Sequence, residues 1–97
     1  MPAVLDESAL RAALAELPDW SGDTAAIRRE AKLPDFPTAI AVVDEVAVVA
    51  EELDHHPDID IRWRTLTFVC ATHSAGGVTD LDLALARRID GIVEAHH

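Results

Sequence analysis

Residues 62–82, RWRTLTFVCATHSAGGVTDLD, hold a strand, a tight turn and a helix start in direct succession. Alternation from Arg62 to Thr72 predicts a β-strand with Leu66, Phe68, Cys70 and Thr72 on one face. Thr65, Thr67, Val69, Ala71 and His73 fall on the other. Ser74-Ala75-Gly76-Gly77 has turn chemistry. Thr79 then caps a helix, with Asp82 three residues on as a shortened capping box and Val78 opposite Leu83 as a staple. The helix is expected to reach about Glu94, with Leu81, Leu85, Ile89 and Ile92 or Val93 inward. A strand apolar on one face that feeds an amphipathic helix implies a sheet covered by helices on a single side.

Toward the N-terminus, Asp58 to Ile61 reads as a short extended piece, and His55-His56-Pro57 closes a long helix. Asp35 caps that helix and Pro37 sits in its first turn, so it is expected from Phe36 to about Asp54. Its stripe is Ile40, Val43, Val46, Ala47, Ala50 and Leu53, widened by Val42, Val48 and Val49. So much β-branching means that packing must hold the helix. Before it, residues 25–33 alternate as a strand with Ile27, Arg29, Ala31 and Leu33 on one face, an arginine among them. Trp20 begins a short strand that turns at Ser21-Gly22-Asp23. Asp6 caps a first helix over Glu7 to Glu16, with Leu10, Leu14 and Leu17 at helical spacing, and Pro18 stops it. The expected fold class is α+β, α-β-β-α-β-β-α, with a four-stranded antiparallel sheet and helices packed on one face. Residues 1–97 are expected to form a single domain.

The chain has 97 residues and a formal net charge of −10. That length supports one modest core. Seventeen of the hydrophobic residues are alanine and only four residues are aromatic, so the core is thin. Some apolar surface is therefore expected between subunits of a homodimer or homotetramer. The acidity argues against nucleic acid and anionic membrane as partners. The stretch from Met1 to Glu7 has no basic region leading into an apolar run, and no apolar run exceeds five residues, so a cytoplasmic location is expected. Cys70 is the single cysteine, which excludes an internal disulfide and a multi-cysteine metal site.

The chemistry concentrates in Glu51-Glu52-Leu53-Asp54-His55-His56-Pro57. Glu51 and His55 are four apart, within reach on one helix face. The negative end of a helix dipole and a carboxylate both attract an imidazolium. Imidazole exchanges protons near neutrality, as general acid–base catalysis requires. His73, at the end of the long strand, joins this group if the strand neighbours the helix end.

The pattern Glu51-x3-His55-His56-Pro57-x5-Trp63-x9-His73-x8-Asp82 resembles the signature of the pterin-4a-carbinolamine dehydratases. Trp20, Ile27-x-Arg29, Asp35-Phe36, Ala50-Glu51, Thr72-His73, Gly77-Val78-Thr79-x2-Asp82 and Leu85-Ala86-x2-Ile89 follow in family-like order, so the resemblance spans roughly Leu14 to Asp90. The chain departs from the family at Ala31 and Leu33, where a Phe-x-Phe pair is common, and at Trp63, where tyrosine is commoner. The resemblance implies elimination of water from 4a-hydroxytetrahydrobiopterin-type carbinolamines to give the quinonoid dihydropterin, in tetrahydropterin recycling. It implies no metal and no organic cofactor. By resemblance His55 is the principal acid–base residue, His73 the second, and His56 binds or assists, while Glu51 orients His55. His55, His56, Pro57, Thr72, His73, Ser74 and Ala75 would line the pterin pocket.

Two other readings stay open. Three histidines and a glutamate form an acceptable Zn²⁺ ligand set, although adjacent His55 and His56 seldom converge on one ion. Relatives also serve as non-catalytic binding or assembly modules, a role for which the intact histidines are not needed. Bland roles account for the rest: Trp20 and Trp63 as core or pocket wall, Cys70 as a buried strand residue, Asp82 as a helix-start residue.

Overall fold

The computed structural model describes residues 3–97; Met1 and Pro2, at the head of the N-terminal stretch read above, lie outside them. The elements are α1 (Glu7–Ala15), β1 (Ser21–Gly22), β2 (Ile27–Lys32), α2 (Phe36–Leu53), β3 (Asp58–Arg62), β4 (Thr65–Cys70) and α3 (Asp80–Ala95). They follow the expected order. The four strands form one antiparallel sheet, β1-β2-β4-β3, with β3 at an open edge.

Register explains why helices cover one face only. Ile27 pairs with Cys70, Arg29 with Phe68 and Ala31 with Leu66, and all six are buried. The alternate residues Arg28, Glu30 and Lys32 are exposed. Over the buried face lie Ala39, Val42, Val46 and Val49 of α2 with Leu85, Ile89 and Val93 of α3. No helix is long and apolar enough to cross a membrane among the described residues.

Several positions differ from expectation. The buried arc of α2 runs through Ala39, Val42, Val46, Val49 and Ala50, so Ala47 is exposed and Val43 only half-buried. The helix packs on α3 and joins the core over the buried face of the sheet, and that wedge selects the valines that had looked like margins of the stripe. Leu81 is exposed and Asp82 is buried in its stead. Arg62 ends β3 instead of opening the next strand, because Trp63 and Arg64 form a two-residue hairpin turn. Trp63 accordingly leaves the core altogether, at 86% exposure.

Trp20 and the inward arginine share one anchor. Arg29 Nη1 donates to Asp90 Oδ1 at 2.5 Å, and Trp20 Nε1 donates to the same oxygen at 2.8 Å. This ties β2 and the residue before β1 to the last turns of α3. Asp90→Ala would leave the Arg29 charge buried without its near partner. The expected loss is about 3 kcal/mol, read as a lower urea midpoint at unchanged m-value.

Candidate active site

The end of α2 aims the first histidine. Asp54 adopts a left-handed conformation, φ 49°, which aspartate tolerates better than most residues. The His55 amide then bonds Ala50 O at 3.0 Å and the Asp54 amide bonds Glu51 O at 3.2 Å, the two bonds of a Schellman motif. The chain reverses there, and His55 turns under the start of α3.

At that start the capping box forms as expected: the Thr79 amide donates to Asp82 Oδ2 at 2.9 Å. The same carboxylate does more. Its Oδ2 also accepts from the Thr72 hydroxyl at 2.8 Å, and its Oδ1 meets His55 Nε2 at 2.5 Å. Asp82 is fully buried and His55 nearly so. Because the Thr72 hydroxyl donates to Asp82, the Thr79 hydroxyl, 2.7 Å away, donates to Thr72. Thr79 Oγ1 in turn accepts from the Leu81 amide at 3.2 Å. Each donor has one acceptor, and the carboxylate accepts throughout. His55 therefore carries a proton on Nε2 and holds it toward Asp82, which leaves Nδ1 as the nitrogen not engaged by the carboxylate.

Thr72 is itself fixed. A bridge to Gly77 closes the loop between β4 and α3. The Val78 amide bonds Thr24 O at 2.8 Å. A Cβ on Gly77 would lie 2.5 Å from that same carbonyl, so only glycine lets the loop sit this close. Gly77→Ala is expected to displace the loop and lower both stability and turnover, read by thermal unfolding and by rate.

The expected Glu51–His55 pair does not form. The left-handed Asp54 ends the helical register one residue before His55, so the spacing of four no longer brings the side chains together. Glu51 bonds His56 instead, and both are exposed. His73 is exposed in the turn that follows Thr72, outside the hydrogen-bond network but at the same end of the molecule. Pro57 and Ala75 are half-buried and Ser74 is exposed. The side chain of Thr72, expected to face a ligand, is taken up by Asp82 and Thr79. Asp82 is the residue whose part sequence reasoning undervalued, because its cap accounted for one carboxylate oxygen and nothing local revealed the occupant of the other.

Burial pushes the Cys70 thiol up to about 12, with the charges of Asp82 and Asp58 adding to it. The raised value means that its contribution to stability is intact below the ordinary 9.0 and is lost as pH climbs toward about 12. At pH 8 native protein should react with iodoacetamide at least about tenfold more slowly than urea-unfolded protein. Among the described residues no group of three or more His, Cys, Asp or Glu is arranged to hold a metal ion. Of the three histidines and one glutamate of that zinc set, His56 pairs with Glu51, His55 pairs with Asp82 outside the set, and His73 is exposed apart from both pairings.

Comparison with known proteins points one way. The model of the family described as pterin 4 alpha carbinolamine dehydratase matches residues 3–92. A "putative pterin-4-alpha-carbinolamine dehydratase" of Nocardia farcinica is 53% identical over 87 residues, 90% of this chain and 92% of that protein. A solved "transcriptional coactivator/pterin dehydratase" from Brucella Melitensis superposes with TM-score 0.88 at 38% identity, covering 92% of this chain and 97% of that one. A pterin dehydratase-like protein identified as a RuBisCO assembly factor in the alpha-carboxysome shares the fold, with TM-score 0.63 at 19% identity over 76% of this chain and 86% of that one.

Proposed function

The chain belongs to the pterin 4 alpha carbinolamine dehydratase family, and on that footing we propose that it dehydrates a 4a-hydroxytetrahydropterin at the His55–Asp82 end of the molecule. The observation that carries this reading is the buried contact of His55 Nε2 with Asp82 Oδ1. A ring fixed at one nitrogen by a carboxylate presents the other in a constant direction, which is what positioned proton transfer needs. His55 Nδ1 is the atom we assign to that transfer.

The reaction balances without a cofactor. A proton reaches the 4a-hydroxyl, the C4a–O bond breaks with its electrons leaving in water, the N5 lone pair forms the C4a=N5 bond, and the N5 proton departs. His55 supplies the proton to the leaving group. His73 or solvent takes the proton from N5 at the open rim. His56, tethered by Glu51, meets the bound pterin alongside Pro57, Ser74 and Ala75, and contributes to affinity. The role suits tetrahydropterin recycling by a cytoplasmic homodimer or homotetramer.

The test is the absorbance change of a synthetic 4a-hydroxytetrahydropterin against the uncatalysed rate. His56→Ala should raise KM by about three- to tenfold with kcat little changed. His73→Ala should lower kcat by less than His55→Ala does, because solvent can stand in for it.

A further inference from the structure

Trp63 occupies the first loop position of the β3–β4 hairpin with φ 55° and is 86% exposed. Primed two-residue turns demand a positive φ there, and glycine or asparagine meets that demand without strain. Here the largest side chain meets it and is held out in solvent. Trp63 shares an open cavity of about 510 Å³ with Phe36, at the start of α2, so its ring leans to the helix side of the sheet. It lies six positions of strand and turn, at about 3.3 Å each, beyond Pro57 of its own chain, so its own histidine site is out of reach.

A second copy brings it back. Among the described residues β3 pairs with β4 only, so its outer edge is free. Sheet parity allows β3 to pair antiparallel with another β3 only between residues on the same face. Of these registers, the one centred on Ile61 matches charge: Asp60 of each copy faces Arg62 of the other. Centring on Asp60 or on Arg62 sets like charges face to face. The Ile61 register also covers Ile61, 44% exposed on the helix side, with its own equivalent. It places Trp63 of one copy beside Ile59 of the other, two residues from Pro57 and on the side where α2 delivers His55 and His56.

We infer that Trp63 of each copy forms an aromatic wall of the histidine site of a second copy. The inference rests on the dehydratase reading for its ligand, a flat pterin, but not for the placement of the tryptophan. The strained turn then serves to project the indole across the edge, where a ring can stack on it.

Placement and function are tested separately. In Cys70→Ser protein, Ile59→Cys together with Trp63→Cys should give a covalent dimer on a non-reducing gel under mild oxidation. Within one chain the two positions are too far apart to bridge. Absence of that dimer overturns the placement. For function, Trp63→Ala should raise KM for the 4a-hydroxytetrahydropterin about three- to tenfold with kcat little changed, and Trp63→Phe should restore most of it. Trp63→Ala is then mixed with His55→Ala after unfolding and refolding together. In a mixed dimer the copy that retains His55 receives Trp63 from its partner, so a fraction of active sites should return to wild-type KM. A KM that stays at the Trp63→Ala value in the mixture overturns the inference. A cross-linked dimer of the double-cysteine protein, together with a wild type that shows no turnover, overturns the dehydratase reading and leaves the interface standing.

Discussion

Replacing His55 with alanine is expected to lower kcat by about 10²–10⁴-fold, the range for one general acid or base, in a protein that stays folded. The fold survives because Asp82 keeps two of its three donors, the Thr79 amide and the Thr72 hydroxyl. The vacated space lies at the end of α2, beside exposed His56, where water can enter and bond the freed Oδ1. Binding is expected to fall less than turnover, since the substitution leaves Pro57 and the loop after Thr72, the pocket walls proposed above, untouched. Steady-state rates and a melting curve on the same sample check both halves. Retention of more than about a third of wild-type kcat in folded protein contradicts the assignment.

Asp82 is the second large lever, and two substitutions separate its jobs. Asp82→Ala strips acceptors from His55 Nε2, the Thr72 hydroxyl and the Thr79 amide at a fully buried position. Stranding these donors should cost about 3–5 kcal/mol, seen as a large fall in the urea midpoint. Asp82→Asn conserves volume, and its amide oxygen can still serve the cap. Its NH₂, however, would face the Nε2 proton of His55, donor against donor. Nε2 must then accept from the amide and lose its proton, so the ring can no longer carry protons on both nitrogens, the form that donates from Nδ1 and returns to neutral imidazole. A fall in kcat of about 10²-fold with a stability loss of only about 1–2 kcal/mol is expected. Equal kcat in Asp82→Asn and wild type would mean that the carboxylate is a cap and nothing more.

Local chemistry made most of the fold legible. Asp6, Asp35 and Thr79 each cap the helix expected of them, because capping depends on residues within one turn. The alternation of Ile27, Arg29, Ala31 and Leu33 marked the buried face of β2 correctly, down to the inward arginine. The partner of that arginine, Asp90, lies 61 residues away and no local pattern points to it. The same limit governed the site. His55 and Asp82 are 27 residues apart, and only the reversal at Asp54 brings them together. An aspartate directly after a helical run was a signal for that reversal, since Asp tolerates the left-handed conformation that ends helices. Helical spacing alone suggested Glu51 for His55, and it failed because the helix stops one residue too soon. Trp63 was misjudged for a different reason: the two-residue hairpin has Trp-Arg where turns favour Asn-Gly, so the turn was hidden within an apparently continuous strand.

The most direct test is the initial rate of dehydration of a synthetic 4a-hydroxytetrahydropterin, followed by absorbance, with wild-type and His55→Ala protein at matched concentrations. The expected rate rises in proportion to wild-type protein and falls close to the buffer value with His55→Ala. A wild-type rate no greater than that of buffer alone, in protein shown to be folded, would contradict the assignment of dehydration to this site.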